Sequence, residues 1–241
     1  MLPSLHVDVL ALADPERAKT NAWFLKMGPG EYGEGDQAIG LTVPQIRTLA
    51  RKYRELSIED AETLLHSPLH EERALALVIL EQHFRKGDAG TRQRIYNLYL
   101  ANTAHVNNWD LVDGSADAIV GPFLADKPKD ELFRLAASAN VWERRIAMIA
   151  TYAYIKAGDC TVALQIAEAL LDDKHDLIHK AAGWMLREAG ARCGRGHLTA
   201  FLDKHAATMP RTTLRYALEH FEPDGRQHYM SMKQKSRAAS A

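Results

Sequence analysis

Apolar residues recur every three to four positions along most of the chain. One such stretch places Ile46, Leu49 and Tyr53 on one face and basic side chains on the other. No alternating apolar and polar run of useful length occurs, so β-strands are not expected. Glycine and proline interrupt the helical patterns, as at Gly87 and Pro210. The pattern predicts an all-α protein.

Small residues also recur within these helical stretches, at intervals of 33 to 38 residues. They are Ala76, Gly114, Ala147, Gly183 and Ala217. A period near 35 with two helices per unit is typical of an α-solenoid, in which each antiparallel helix pair buries its apolar face against the next. We therefore predict a single curved domain over residues 1–228, with the second helix of each pair lining a concave surface. Residues 229–241 are expected to form a disordered basic tail.

The N-terminal region is predicted to contain one or two helices between Leu5 and Lys26, with Asp14 and Pro15 at a helix start. The segment that follows, residues 28–36, holds four glycines and one proline. Its acidic side chains and its lack of a Gly-Lys-Ser/Thr sequence argue against a phosphate-binding loop. A structured lid or connector is the preferred interpretation.

Charge is unevenly distributed, although the formal net charge is only −1. Residues 180–241 contain 11 lysines and arginines against 5 aspartates and glutamates, which is either an electrostatic footprint for phosphates or a solvated tail. No apolar run of about 18 residues occurs and no signal peptide is evident, so no membrane span is expected. The two cysteines match neither a disulfide framework nor a metal site, which favours a cytoplasmic location.

Candidate catalytic side chains are grouped most closely in the segment 107–115. On a helix, Trp109 and Asp113 are one turn apart and project from the same face. An aromatic face beside a carboxylate suits a planar cation, although a tryptophan in a helix more often belongs to the core. Other aromatic and basic side chains occupy comparable registers in the later repeats. They are Trp142, Arg144, Arg145, Lys180, Trp184, Arg187, Arg211 and Arg215.

Three segments together resemble the AlkD-type DNA alkylation repair family, the HEAT-like-repeat DNA glycosylases. Residues 109–113 read Trp-Asp-Leu-Val-Asp, residues 142–145 read Trp-Glu-Arg-Arg, and residues 180–187 read Lys-Ala-Ala-Gly-Trp-Met-Leu-Arg. The resemblance extends in order and spacing over residues 19–221. It implies a concave DNA-binding groove and excision of cationic alkylated purines, such as 3-methyladenine and 7-methylguanine, from duplex DNA.

The resemblance implies roles for individual residues. Asp113 matches the family's catalytic carboxylate, and Trp109 and Trp184 match its groove aromatics. Arg145 matches its essential arginine, with Arg144 as the competing assignment. The residues expected to hold the DNA backbone are Arg47, Arg51, Arg144, Lys180, Arg187, Arg211 and Arg215. No lysine nucleophile, cofactor or metal is required, so a monofunctional, monomeric glycosylase is expected.

The chain also departs from the family's pattern. Asn108 stands where many members carry a second aromatic residue, and Phe24 is the nearest match to an N-terminal tyrosine of the family. The glycine-rich segment looks like an insertion. These departures leave open a DNA-structure-binding protein without catalytic activity, and a protein-binding scaffold is a third reading.

Several further polar residues are interpreted as solvated helix faces or surface charge. They are His66, His70, His175, His179, Glu71, Glu72, Asp172 and Asp173. The two histidine pairs have the i,i+4 spacing of metal ligands, but Pro68 interrupts the first and neither has an evident third ligand. Asp110 is interpreted as a helix-start or supporting residue.

Overall fold

The fold is taken from a computed structural model that describes residues 1–239 and the side chains of residues 1–232. Over this range all regular structure is helical, apart from one isolated parallel bridge between Gln37 and Leu69. The all-α prediction is confirmed. None of the described helices is long and apolar enough to cross a membrane.

The helices form two compact units, divided after residue 123. The sequence predicts a single domain over residues 1–228. The two units are Met1–Phe123, the N-terminal unit, and Leu124–Ala241, the C-terminal unit. The helices of the first are α1 Leu2–Ala11, α2 Pro15–Phe24, α3 Val43–Lys52, α4 Ile58–Leu65, α5 His70–Lys86, α6 Ala89–Ala101, α7 Trp109–Asp113 and α8 Ala116–Phe123. Those of the second are α9 Asp130–Ala136, α10 Val141–Ala150, α11 Tyr152–Lys156, α12 Thr161–Ala169, α13 Asp176–Arg192, α14 Arg195–His205, α15 Arg211–Ala217 and α16 Pro223–Ala239.

Side chains cap several helix starts, including the one predicted at Asp14. The Asp14 side chain accepts hydrogen bonds from the first backbone N–H groups of α2. Thr42 and Gln45 form a reciprocal capping box at α3, and the Ser57 hydroxyl accepts the N–H of Asp60 at α4. Each cap satisfies N–H groups that have no partner within the helix.

In the N-terminal unit the long helix α5 is central. Helices α3, α4, α6, α7 and α8 all pack against it. Leu75, Ala76, Ile79 and Leu80 on α5 are completely buried. Burial of apolar side chains on several faces of one helix makes α5 the core of this unit.

In the C-terminal unit, consecutive helices form pairs that stack. Helix α9 pairs with α10 and α12 with α13, while α10 packs on α13 and α9 on α12. Helices α14 and α15 both pack on α13. Helices α10, α13 and α15 begin at Val141, Asp176 and Arg211, at equal intervals of 35 residues. The predicted stacking of helix pairs with a period near 35 is confirmed in this unit.

A glycine permits the closest of these approaches. A Cβ atom built on Gly183 would lie 2.5 Å from the Cβ of Tyr216 and 2.6 Å from the carbonyl oxygen of Thr213. Helices α13 and α15 therefore meet at a distance that no larger side chain allows. Gly114 has a different role: it is exposed and caps the end of α7, with only the Asp110 carbonyl close by.

The helical chain continues past residue 228, where the sequence predicts the start of a disordered tail. Helix α16 runs to Ala239, and Tyr229 within it is buried. The Tyr229 hydroxyl donates to Asp203 at 2.8 Å, and its ring meets Phe221 edge to face. An aromatic anchor therefore holds the start of the expected tail. Residues 240 and 241 of that tail lie outside the described residues.

Candidate functional site

Helix α7 has only five residues, and Asn108 fixes its start. The Asn108 side-chain oxygen accepts the backbone N–H of Trp109 at 2.8 Å, and its amide donates to the Leu25 carbonyl at 2.9 Å. Asn108 is completely buried, so both bonds are shielded from water. Asn108 thus joins α7 to the end of α2.

The first residue of α7, Trp109, is half-buried and contacts a second aromatic ring. Phe24, the last residue of α2, meets it edge to face with ring centroids 5.4 Å apart and an interplanar angle of 84°. This is a favoured geometry for aromatic pairs. Phe24 is 57% exposed, so the pair presents an aromatic surface to solvent. Phe24 therefore lies beside Trp109 at this surface.

Asp113 ends α7, one turn after Trp109, and is half-buried. The completely buried Tyr99 shares a 2.9 Å hydrogen bond with the hydroxyl of Ser115. Burial raises the pKa of the Tyr99 hydroxyl, and the nearby charges of Asp113 and Asp117 raise it further. The Tyr99 hydroxyl therefore stays neutral at physiological pH.

A row of charged side chains, buried except at Asp110, links α7 to α5. The His70 side chain is only 2% exposed, and its Nε2 donates to Asp110 at 2.7 Å. On its other side Nδ1 lies 3.7 Å from Asp36, which pairs with Arg73 at 2.5 Å. The order Asp110, His70, Asp36, Arg73 alternates negative and positive charge, so each carboxylate faces a cation.

The pKa values of His70 and Asp36 follow from the groups around them. Burial disfavours a charged imidazole, but the hydrogen bond to Asp110 and the nearby carboxylate of Asp36 outweigh it and raise the pKa of His70 to about 9. Burial likewise opposes ionisation of Asp36, yet His70, Arg73 and Asn107 together lower the pKa of that carboxyl. At neutral pH, His70 is an imidazolium between two carboxylates.

The glycine-rich segment, residues 28–36, is tied to both α5 and α7. Its last residue, Asp36, accepts from Arg73 of α5 and from Asn107, two residues before α7. The neighbouring Gln37 exchanges backbone hydrogen bonds with Pro68 and His70 just at the start of α5. This arrangement agrees with the connector interpretation.

The interpretation of His70, Glu71 and Glu72 as solvated is wrong, because all three residues are buried. Besides His70, Glu71 and Glu72 in the first turn of α5 are 2% and 3% exposed. Glu71 accepts the backbone N–H groups of Ile39 and Gly40 at 3.0 and 2.9 Å. Glu72 accepts from Ser67 and pairs with His6. Sequence reasoning missed this cluster because its partners are 5 to 66 residues away.

A cavity of about 400 Å³ lies within the N-terminal unit, between α2, α3, α5 and α7. Phe24 and Trp109 form part of its wall, and Asp110 and Arg47 also line it. Apolar side chains contribute most of the remaining lining. The cavity falls in the size range of small-molecule sites.

In the C-terminal unit, Trp184 of α13 is half-buried and pairs with Tyr152. Their ring centroids are 5.9 Å apart with an interplanar angle of 46°. Lys156 and Arg192 both lie over the Tyr152 ring, with distances of 5.0 and 5.5 Å to its centroid. This part of the unit combines aromatic surface with positive charge.

The two candidate arginines of α10 differ in their surroundings. Arg145 is 5% exposed, and its guanidinium donates to the Leu177 carbonyl at 2.5 Å. Arg144 pairs with the buried carboxylate of Asp173 at 2.6 Å and donates to the carbonyls of Ser138 and Ala139. Both side chains are therefore held in fixed orientations by the C-terminal unit itself.

The remaining predicted DNA-binding cations lie at or near the surface. Lys180 pairs with Asp176, and Arg187 pairs with Glu188 and Glu219. Arg211 donates to the Met230 carbonyl. The exposed side chains are Arg47, Arg51 and Arg215.

The other proposed surface histidines have local partners. His66 is exposed and bonds Asn102, while His175 caps α13 and His179 bonds the Asp173 carbonyl. The Asp173 side chain is only 6% exposed, contrary to its interpretation as surface charge, and it pairs with Arg144. Among the described residues, no group of three potential metal ligands is close enough to hold an ion.

The stacked helix pairs agree with the fold that the resemblance implies. The model of the DNA alkylation repair enzyme family matches residues 7–221, and the chain belongs to this family. The resemblance is therefore confirmed, and membership connects the chain to DNA repair as an enzyme.

A solved structure shares the fold. It is the structure of a predicted DNA alkylation repair enzyme from Enterococcus faecalis, with a TM-score of 0.68 and 15% sequence identity. The similarity covers 88% of this chain and 97% of that chain. At this identity the likeness concerns the fold alone. No curated protein sequence gives a significant match.

Proposed function

We propose that the protein is a DNA glycosylase that removes cationic alkylated purines from duplex DNA. The observation that supports this most directly is the pairing of Trp109 and Asp113 one turn apart on α7, within the family match. A tryptophan ring attracts a cationic base, by about 0.5 to 2 kcal/mol, and a neighbouring carboxylate favours positive charge on the sugar. Both properties serve an N3- or N7-alkylated purine nucleotide.

The proposed reaction is hydrolysis of the N-glycosidic bond. The alkylated base already carries a positive charge, so it can leave with the bonding electrons as a neutral base without being protonated. Water adds to C1′ of the sugar and gives up a proton. Asp113 stabilises the oxocarbenium-like sugar and accepts that proton. Because no lysine nucleophile is involved, the product is an abasic site in an uncut strand.

The other family residues position the DNA. Trp109 and Trp184 hold the damaged nucleotide through aromatic contacts, and Arg145 binds a phosphate near the lesion. Arg144, fixed by Asp173, is the alternative for this last role. The flanking phosphates are bound by Arg47, Arg51, Lys180, Arg187, Arg211 and Arg215. Those already in ion pairs would exchange a carboxylate for a phosphate partner, so binding should weaken steeply with salt.

The test is single-turnover release of 7-methylguanine and 3-methyladenine from alkylated duplex DNA. We expect Asp113→Asn to slow release by about 10²- to 10³-fold while duplex binding at low salt persists. Asp117→Asn is the matched control, because Asp117 lies one turn further on and also acts on Tyr99. It should change release by no more than a few-fold.

Two results would overturn the glycosylase. One is wild-type protein that binds the duplex but releases neither base, which would identify a DNA-structure-binding protein. The other is equal release by Asp113→Asn and wild type. Failure of wild-type protein to bind duplex DNA at any salt concentration would instead favour a protein-binding scaffold.

A further inference from the structure

Helix α7 is too short to be stable by itself. With five residues it forms little more than one turn, so contacts with the rest of the N-terminal unit have to hold it in place. Leu111 and Val112 are buried and supply apolar contacts. Apolar contacts are not directional, so they press a short helix against its neighbours without fixing its rotation. The orientation of the Trp109 and Asp113 side chains therefore depends on polar contacts.

Polar contacts attach the start of α7 to the start of α5. Nε2 of His70 donates to Oδ2 of Asp110, the second residue of α7, at 2.7 Å. Just before the helix, Asn107 accepts from Arg73 at 3.2 Å and donates to Asp36 at 3.3 Å. Hydrogen bonds with an ionised partner are directional and about twice as strong as neutral ones. These bonds can therefore fix the rotation that the apolar contacts leave free.

The bond from His70 ends within α7 itself, whereas Arg73 bonds a residue two positions before the helix. Asp110 lies between Trp109 and Asp113 in the sequence of α7. Because a hydrogen-bonded helical turn moves as a unit, a rotation that displaced Trp109 or Asp113 would also pull Asp110 away from the imidazole. The contact between His70 and Asp110 is thus the one best placed to control both side chains.

Resting on the proposed function, we infer that His70 is a positioning residue for base release. By holding Asp110 it fixes the rotation of α7, and thereby keeps the Trp109 ring and the Asp113 carboxylate in the orientation in which they act. The His70 side chain is only 2% exposed, so it acts through Asp110 and not by contact with DNA. Its removal should therefore slow base release without weakening duplex binding.

The first measurement is single-turnover release of 7-methylguanine from alkylated duplex DNA at neutral pH. We expect His70→Gln to slow release by about tenfold or more, because the reacting groups are misplaced, and to keep the duplex dissociation constant within about twofold of wild type. His66→Gln is the matched control, because His66 is exposed and bonds Asn102 at the end of α6. It should release base at the wild-type rate. Thermal unfolding of each variant sets an assay temperature at which all of them are folded.

A second variant removes the charge at the other end of the bond. The Asp110 side chain is 30% exposed, so Asp110→Asn disturbs the fold less than a change at His70. If the two residues act through their shared bond, the double variant should be no more than about twofold slower than the slower single variant. Effects that multiply in the double variant would show that His70 does not act through Asp110, and would overturn the inference.

A further readout needs neither DNA nor activity. Burial and Arg73 lower the pKa of His70, but Asp110 from α7 and Asp36 from the glycine-rich segment raise it to about 9. The other charged side chains that line the cavity beside His70 are Arg17, Arg47, Glu71 and Glu81. If His70 controls α7, loss of its proton should change the surroundings of the Trp109 ring.

Fluorine NMR of protein labelled with fluorotryptophan detects this change, with each signal assigned by a Trp→Phe substitution. The Trp109 signal should shift with a midpoint near pH 9 in wild type, and this step should be absent in His70→Gln. The signal of Trp142, which lies in α10 of the C-terminal unit, is the internal control and should not show the step. A Trp109 signal that titrates identically in wild type and His70→Gln would overturn the inference, whatever the release rates.

The two kinds of measurement separate this inference from the function on which it rests. Equal release by His70→Gln and wild type would overturn the positioning role and leave the glycosylase standing. Wild-type protein that releases no base would overturn the function. A Trp109 step that depends on His70 would then still support control of α7 by His70, and its absence would overturn both.

Discussion

The two compact units use different kinds of internal packing. In the N-terminal unit the first turn of α5 is charged and buried, and its partners include Asp36, Asp110 and backbone groups of residues 39 and 40. In the C-terminal unit, helices that begin at equal intervals along the sequence pack through apolar side chains and the small residue Gly183. The first kind of packing depends on a few specific pairs. The second depends on the similar shape of the packing surfaces in successive helix pairs.

The largest effect should come from removing one buried charge of the N-terminal unit. Arg73→Met leaves the Asp36 carboxylate buried without its main cation, which should lower the free energy of unfolding by about 3 to 5 kcal/mol. Urea denaturation followed by circular dichroism measures this. Arg94→Met is the control, because its pair with Glu59 is exposed, and a change within about 0.5 kcal/mol is expected. Similar losses in both variants would contradict the importance of the buried pair.

The same unit should also carry a pH-dependent stability. His70 has a pKa of about 9 in the fold, above its ordinary value of 6.5, so folding favours its protonated form. The stabilisation is complete below pH 6.5 and is lost as pH rises through about 9, with a total on the order of 3 kcal/mol. Denaturation curves between pH 6 and 10 test this. In His70→Gln this part of the pH dependence should disappear, and an unchanged profile would refute the assignment.

In the C-terminal unit, one added methyl group tests whether the close approach of two helices matters for stability. Gly183→Ala forces α13 and α15 apart, and we expect a loss of about 1 to 3 kcal/mol. Gly196→Ala, in α14, is the matched control because its added methyl group meets nothing within 4 Å. That change should be neutral or slightly stabilising in a helix. If both variants unfold at the same urea concentration, the close approach does not matter to stability.

The smallest effect concerns the polar attachment of α7. Asn108→Ala removes the cap of α7 and the bond to the Leu25 carbonyl, for a loss of about 1 to 2 kcal/mol. Ser57→Ala removes only a cap, at α4, and should lose about half as much. Hydrogen exchange of the amides in residues 109–113 should accelerate in Asn108→Ala alone. Protection equal to wild type would show that Asn108 is dispensable for α7.

Sequence reasoning was most successful where structure is local or periodic. The cap at Asp14 depends on residues two or three positions further on, so it could be read directly. The period near 35 was visible because apolar packing constrains residue type at each contact, as at Gly183. The i,i+4 placement of Trp109 and Asp113 followed from helix geometry.

The buried charges could not be read in this way. His70 is part of an i,i+4 histidine pair in the sequence, yet its partners are Asp36 and Asp110, which lie 34 and 40 positions away. Nothing in the neighbourhood of a histidine or glutamate shows whether a distant chain segment will cover it. Nothing in the sequence around Glu71 indicates that it accepts the backbone N–H groups of Ile39 and Gly40.

The equal spacing of α10, α13 and α15 also bears on how such a protein can change in length. A duplication that copies one whole interval, from the start of one of these helices to the start of the next, would add a complete helix pair with its small residue already in register. An insertion of another length would turn the added helix away from its neighbour. The C-terminal unit can therefore grow by gene duplication in whole repeats.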